Sequence, residues 1–176
     1  MAERLKDTTR HCTTSKGRPE SVAEHSWRVT LMAFLIRNEF PDCDMDKVMK
    51  MCLIHDLGEC FIGDIPSFNK TREDEEREKT LLHEWVLSLP KDISKEMNDL
   101  YVEMAKLETK EAKIYKALDK TEAVIQHNES PLSTWLDHER KLNQEYGFEN
   151  VGFSKWLTEL REEILKDTLE KLDSEK

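Results

Sequence analysis

Four ionisable side chains occupy positions where helical periodicity predicts a buried surface. His25 lies on the apolar stripe of one predicted helix, and His55 with Asp56 follows the apolar stripe of a second. Asp119 interrupts the buried side of a third predicted helix. A buried carboxylate without a partner costs several kcal/mol or becomes protonated. We therefore expect these four groups to share a partner.

A divalent cation would satisfy all four groups together. Two neutral imidazoles and two carboxylates balance a charge of +2, and both are good ligands for borderline metals such as Zn, Mn, Co or Fe. The order along the chain is one histidine, then a His-Asp pair, then a distant aspartate. A single histidine on an apolar face is more often a hydrogen-bonded core residue, but four such groups on three helices favour a metal site.

Further ionisable residues follow these four at helical spacing. Glu59 lies three residues after Asp56, so it can reach the open side of an ion and donate a proton or orient a water molecule. The alternative is an exposed carboxylate at a helix end. Glu122, three residues after Asp119, would either orient a ligand or pair with a lysine. Lys116, one turn before Asp119, would offer a cation to the substrate.

Helices must position these residues, and apolar periodicity with capping signals predicts seven. Ser21 with Glu24, and Thr71 with Asp74, have the spacing of capping boxes. No segment alternates as a strand does, so we predict an all-α fold. The predicted helices span residues 22–38, a stretch from after 44 to at least 57, then 72–89, 94–107, 111–126, 133–146 and 154–172.

Composition limits the class of protein. The chain has 176 residues and a formal net charge of −10, which argues against a nucleic-acid partner. No apolar run approaches the roughly 20 residues of a membrane helix, and residues 1–10 are polar, so we expect a cytoplasmic protein with no membrane partner. The four cysteines form no CxxC pair and are expected to be free thiols. His83, His127 and His138 lie among charged residues, which predicts surface positions.

Three strings resemble the 5′-deoxynucleotidase family (YfbR and HD-domain-containing-protein-2 type) of the HD superfamily of metal-dependent phosphohydrolases. Residues 18–26 read RPESVAEHS, residues 55–66 read HDLGECFIGDIP and residues 116–120 read KALDK. The resemblance covers about residues 10–126. It implies a single HD domain over 1–176, an all-α bundle with the metal site between core helices. The motif-bearing part would be about 10–127, followed by C-terminal helices at 133–172.

The resemblance assigns roles to matching positions. It implies that one divalent ion is held by His25, His55, Asp56 and Asp119. It places the catalytic carboxylate at Glu59, a phosphate-binding arginine at Arg10 and an acidic residue near the phosphate and sugar at Asp64. Bacterial members often carry a tryptophan next to that arginine, where this chain has His11. That departure leaves the preference for sugar and base open. Members form homodimers, so we expect a dimer here.

The implied reaction is removal of the 5′-phosphate from (deoxy)nucleoside monophosphates by a metal-activated water. Four protein ligands would close a tetrahedral zinc site, so a higher-coordinate ion such as Mn, Co or Fe is favoured, with Mg and Zn still open. One alternative is an HD pyrophosphohydrolase that acts on nucleoside polyphosphates or guanosine alarmones. An alternative from another class is a metal- or nucleotide-binding sensor without turnover.

Overall fold

The computed structural model describes residues 1–66 and 69–174 of the chain. Helices dominate these ranges, so the prediction of an all-α fold is confirmed. The two strands are β1 (Thr9–Thr13) and β2 (Pro19–Ser21). The helices are α1 (Val22–Leu35), α2 (Met45–Ile54), α3 (Glu59–Ile62), α4 (Arg72–Leu87), α5 (Lys91–Lys106), α6 (Lys110–Glu129), α7 (Glu139–Glu145), α8 (Phe148–Val151) and α9 (Lys155–Asp173). Short 3-10 helices span Ala2–Lys6, Arg37–Glu39 and Leu132–Thr134.

The core is built by α1, α2 and α6, which pack against one another. Val29 of α1, Val48 of α2 and Leu118 of α6 are fully buried in one cluster. Burying such an aliphatic side chain contributes about 1.5–3 kcal/mol. Because α6 is buried along most of its length, polar residues on it must have partners inside the protein.

Both predicted capping boxes are confirmed. The Ser21 hydroxyl accepts a hydrogen bond from the Glu24 amide at 3.3 Å, and the Glu24 carboxylate accepts one from the Ser21 amide at 2.9 Å. Thr71 and Asp74 make the same reciprocal pair at the start of α4. The first box marks where α1 begins, one turn before His25. The helix ends at Leu35, three residues earlier than predicted, and continues as a 3-10 turn.

The N-terminal ribbon was not predicted. Strands β1 and β2 pair antiparallel, with Thr9 opposite Ser21 and Thr13 opposite Pro19, and an irregular register between them. The turn contains Gly17 at φ +81°, a conformation that favours glycine. The prediction of no strand was wrong because β1 lacks an apolar alternation, and its pairing depends on this turn.

The chain between α2 and α3 turns more tightly than an α-helix. The Leu57 amide donates to the Ile54 carbonyl at 3.1 Å, and the Glu59 amide donates to the Asp56 carbonyl at 3.0 Å. These are bonds between residues three apart, so the prediction of a helix to at least residue 57 was wrong. Gly63, at φ +83°, follows the end of α3.

The predicted helix over residues 133–146 is also replaced by two shorter elements, Leu132–Thr134 and α7. Trp135 interrupts the helix because its side chain is buried and its Nε1 donates to the His127 carbonyl at 3.0 Å. Helix α9 is tied to this region by Arg161, which donates to the carbonyls of Asn143 and Tyr146. In the described ranges, no helix has the length and apolarity that crossing a membrane requires.

Candidate metal centre

The two predicted histidine ligands meet between the core helices. His25 projects from α1 and is fully buried, and His55 follows the last residue of α2. Their Nε2 atoms lie 3.2 Å apart. Two imidazole nitrogens at this distance, 30 residues apart in sequence, are brought together by the packing of α1 against α2.

The two aspartates approach the same point. Asp56 Oδ2 lies 3.1 Å from His55 Nε2 and 3.6 Å from His25 Nε2. Asp119 Oδ1, from α6, lies 3.3 Å from His25 Nε2 and 3.7 Å from His55 Nε2. Ligand atoms at about 2.0–2.2 Å from a common ion would be separated by roughly 2.8–3.6 Å, the shorter values for octahedral and the longer for tetrahedral geometry. The structure therefore brings all four predicted ligands together; we call this set the metal centre.

The outer nitrogens of both imidazoles are already occupied. The Nδ1 of His55 lies 2.8 Å from the Cys52 carbonyl, which can only accept, so this nitrogen donates. The Nδ1 of His25 donates to the carboxylate of Glu122. A neutral imidazole with its hydrogen on Nδ1 presents a lone pair at Nε2. Both lone pairs then face carboxylates, an arrangement that needs a cation between them, so the donors fit a divalent metal.

Charge around the metal centre favours ionised aspartates. Burial opposes ionisation of Asp119, but Lys116 and the two imidazoles outweigh it and hold its pKa well below the usual range. Burial likewise opposes protonation of His55, yet Asp56 and Asp119 raise its pKa to about 10. The centre therefore attracts positive charge, whether protons or a metal ion.

Lys116 forms a hydrogen-bonded ion pair with Asp119, one of the four candidate ligands. Its Nζ donates to Asp119 Oδ2 at 2.8 Å, which leaves Oδ1 directed at the imidazoles. Arg10, on β1, forms an ion pair with the buried Glu20, Nε to Oε2 at 3.1 Å, and lies 3.8 Å from Asp56. Both cations also line the cavity beside the metal centre.

Glu59 begins α3 and lies at the same cavity. Its side chain is buried, and its Oε2 has no hydrogen-bond partner among the residues that the structure describes. Burial, with the carboxylates of Asp56 and Asp64, raises the pKa of Glu59 to about 9. A carboxyl in this environment holds a proton near neutral pH. Asp64 also lines the cavity, and burial raises its pKa.

The cavity has a volume of about 330 Å³, within the range of small-molecule sites. Its wall includes two of the four candidate ligands, Asp56 and Asp119, and basic side chains that suit an anion. The basic lining residues are Arg10, Lys70, Lys116 and Lys120. The acidic lining residues are Asp56, Glu59, Asp64, Glu75, Asp119 and Glu139.

The sequence left two roles open for Glu122, to orient a ligand or to pair with a lysine, and it did not identify some residues near the site. Glu122 is fully buried and pairs with His25 and Arg28, not with a lysine. Glu20 and Lys70 were not singled out. A signal for Glu122 was present, since it lies on the buried face of α6, whereas Glu20 sits in a short polar strand that shows no periodicity.

His127 was predicted at the surface, and this was wrong. Its side chain is 12% exposed and lies 3.0 Å from a carboxylate oxygen of Glu139. The charged neighbours in sequence misled the prediction because Trp135 and Glu139, which follow α6 in the chain, contact the His127 side chain and partly cover it. Of the free thiols expected from the sequence, Cys12, Cys52 and Cys60 are buried.

Comparison with known sequences identifies relatives over most of the chain. A family model of the HD domain matches residues 2–161. The 5′-deoxynucleotidase HDDC2 of Homo sapiens is 35% identical over 114 residues, which cover 64% of this chain and 55% of the human protein. The 5′-deoxynucleotidase hdd1 of Schizosaccharomyces pombe is 29% identical, with 81% and 71% covered. The match thus spans little more than half the length of the HDDC2 protein.

Two solved structures resemble the whole fold. A predicted metal-dependent phosphohydrolase from Magnetospirillum magnetotacticum superposes with a TM-score of 0.82 at 27% identity, covering 97% of this chain and 88% of that one. A conserved hypothetical protein from Pyrococcus furiosus has a TM-score of 0.72 at 31% identity, with 94% and 95% covered. The similarity to the first of these structures therefore covers more of this chain than the 64% that the human sequence matches.

Proposed function

The chain belongs to the HD-domain family, and from this premise we propose that it is a metal-dependent phosphohydrolase that removes the 5′-phosphate from (deoxy)nucleoside monophosphates. One observation carries the proposal. The Nε2 atoms of His25 and His55 and the carboxylates of Asp56 and Asp119 converge beside a cavity that is lined by basic side chains and by the buried carboxyl of Glu59. The names of the HDDC2 and hdd1 relatives support the choice of substrate.

The four residues of the metal centre would hold the ion. A divalent ion bound there would draw charge from a phosphate oxygen and lower the pKa of a water molecule toward 7. Two nitrogen and two oxygen donors suit Mn, Fe or Co, with open positions for substrate, better than a closed tetrahedral zinc site. Glu122 keeps the His25 imidazole in the tautomer that binds metal, because it accepts the Nδ1 hydrogen.

Glu59 would act as the general acid and base of the reaction. A buried carboxyl with a raised pKa can donate to the leaving 5′-oxygen, and as a carboxylate it can then accept a proton from water. Its Oε2 has no partner among the described residues, so a substrate or water can occupy that position without breaking a protein hydrogen bond.

Cations on the cavity wall would bind the phosphate. Arg10 can present a planar fork to a phosphate, and its ion pair with Glu20 holds the guanidinium in place. Lys116 adds positive charge while it orients Asp119. Asp64 would accept hydrogen bonds from the hydroxyl groups of the sugar. An ionised carboxylate is only an acceptor, so it suits these hydroxyls better than phosphate oxygens, which are acceptors too.

A substrate panel tests the proposal. We would load the protein separately with Mn, Co, Mg and Zn and offer ribo- and deoxynucleoside 5′-mono-, di- and triphosphates, measuring phosphate and pyrophosphate release. Phosphate released from monophosphates alone is the expected result. Pyrophosphate release would favour a pyrophosphohydrolase, and binding without turnover under every metal would favour a sensor; either would overturn the proposal.

Paired arginine variants test the phosphate contact. Arg10→Gln should lower kcat/KM by about 10- to 100-fold, since a hydrogen bond to a charged group is worth about 1.5–3 kcal/mol. Arg18→Gln is the control because Arg18 is exposed and pairs with Glu24 outside the cavity. Equal effects of the two substitutions would remove Arg10 from phosphate binding.

We also propose that the protein is a homodimer, as the family resemblance implies. Support comes from an exposed apolar surface on α1, where Trp27 and Leu35 are 64% and 67% exposed and Phe34 lies beside them. A second copy of the chain would cover this surface. Sedimentation equilibrium should give a dimer for the wild type and a monomer for Leu35→Lys, with Leu169→Lys on α9 as the control. A wild-type monomer would contradict the proposal.

A further inference from the structure

A second group of histidine and carboxylate side chains lies on the same cavity, away from the four residues of the metal centre. His11 is on β1, His127 is near the end of α6 and Glu139 is the first residue of α7. Glu139 Oε1 lies 2.9 Å from His11 Nε2 and 3.0 Å from His127 Nε2. We call these three residues the His11 cluster; all of them line the cavity.

Two members of the His11 cluster, His127 and Glu139, are held by second hydrogen bonds as metal ligands are. The Nδ1 of His127 donates to the Ala123 carbonyl at 2.9 Å, so in the neutral ring the Nε2 lone pair faces the carboxylate. Glu139 is held in turn, because its Oε2 accepts from the Leu136 amide at 2.7 Å. His55 in the metal centre has the same pattern, with Nδ1 on a carbonyl of its own helix and Nε2 on a carboxylate.

A lone pair that faces a carboxylate is repelled unless a cation lies between them. A proton on His127 is one solution, and a metal ion is another. Cys12 lies 3.3 Å from His127 Nδ1, which would suggest a cysteine–histidine nucleophile. That role needs Nδ1 to accept the thiol proton, but Nδ1 is already the donor to Ala123. The structure therefore favours a cation over a nucleophilic thiol.

We propose that His11, His127 and Glu139 form a second site for a divalent cation of borderline softness, such as Zn²⁺ or Co²⁺. Two imidazoles and one carboxylate are a known ligand set of zinc sites that keep an open fourth position. Glu139 Oε1 lies at coordination-sphere distances from both Nε2 atoms, and all three ligand atoms lie within 4.8 Å of one another. The exposed side is at His11, whose side chain is 29% exposed.

Asn143, one helical turn after Glu139, is a further polar group available to a ligand at the open position. This residue of α7 is 3% exposed and lines the cavity, and its Nδ2 has no hydrogen-bond partner among the described residues. With one carboxylate against a charge of +2, the occupied site would keep a net positive charge. It would therefore attract an anionic or oxygen-bearing group to this wall of the cavity.

Metal stoichiometry tests the proposal without reference to turnover. The full-length protein would be stripped with a chelator and titrated with Co²⁺, following ligand-field absorption and bound metal after gel filtration. We expect two equivalents for the wild type and one for His127→Gln, with the second equivalent weakened by about 100-fold or more. Asp119→Asn should keep only the equivalent at the His11 cluster, and the double variant should bind none.

Two further variants serve as a control and as a replacement if His127→Gln does not fold. His83→Gln, an exposed histidine on α4, is the matched control and should bind two equivalents. If circular dichroism shows that His127→Gln is misfolded, His11→Gln on the edge of the cavity replaces it. A single equivalent in the wild type, or two equivalents that survive both His11→Gln and His127→Gln, would overturn the proposal. Loss of nucleotidase activity alone would not affect it.

Discussion

The two histidine–carboxylate clusters on the cavity differ in how their groups are already satisfied. In the metal centre two Nε2 atoms face each other at 3.2 Å, with the carboxylates of Asp56, on the same turn as His55, and of Asp119, on α6, around them. In the His11 cluster both imidazoles face one oxygen of Glu139. One or two protons satisfy the second arrangement. The first brings two imidazole nitrogens into direct contact, which protonation of both would make repulsive.

The difference predicts which of the two sites would hold an ion more tightly. His25 of the metal centre is fully buried between packed helices, and His55 lies on the tight turn that follows α2. His11 instead projects from a two-stranded ribbon and is partly exposed. A ligand set positioned by the core loses less freedom on binding, so we expect the metal centre to fill first in any titration.

The largest effect is expected from Asp119→Asn. It removes a buried charge that contacts both imidazoles and Lys116, and breaking such a contact costs about 3–5 kcal/mol. Metal at the metal centre should bind roughly 10²- to 10⁴-fold more weakly, and hydrolysis should be lost. Calorimetric titration measures this, with the exposed Asp99→Asn as control. Wild-type affinity in Asp119→Asn would place the ion elsewhere.

Glu59→Gln separates binding from chemistry. The amide keeps the size of the side chain but cannot exchange a proton, so kcat should fall by about 10²- to 10⁴-fold. The metal content should stay at the wild-type value, since Glu59 is not among the converging ligands. Glu75→Gln, an exposed carboxyl on the same cavity, should change kcat less than about threefold. Similar rates for the two variants would show that the cavity charge, not Glu59, matters.

Glu122→Gln tests how the metal centre is supported. Loss of the charged acceptor at His25 Nδ1 should weaken metal binding by about 10- to 100-fold. Glu129→Gln is a matched control because Glu129 also accepts from Arg28 but does not touch a ligand. The Co²⁺ equivalent at the His11 cluster should be unchanged in both. If both variants lose the same affinity, Arg28 is the residue that matters.

The smallest effect is expected from the capping boxes. Ser21→Ala should lower the free energy of unfolding by about 1 kcal/mol, because the Glu24 amide loses its acceptor. Thr71→Ala should cost a similar amount at α4, which carries no residue of either cluster. Urea unfolding measures both. Metal affinity should change in neither variant, and a selective loss in Ser21→Ala would mean that the cap positions His25.

Local patterns determined much of this protein. The start of α1 at Ser21 and the start of α4 at Thr71 follow from side chains that bond backbone amides three residues away. The identity of His25, His55, Asp56 and Asp119 as candidate ligands follows from polar groups on apolar stripes. Both signals lie within one or two helical turns, so they can be read without knowing the packing.

Tertiary contacts decided the rest. The β1–β2 ribbon, the tight turn after Ile54 and the break at Trp135 depend on pairing and burial between segments that are distant in sequence. The His11 cluster joins residues 11, 127 and 139, none of which shares a periodic pattern with another. Helix periodicity shows which side chains face inward, but it carries no information about which segments meet there. That choice is made by packing, which decided the carboxylates that His11, His25 and His127 contact.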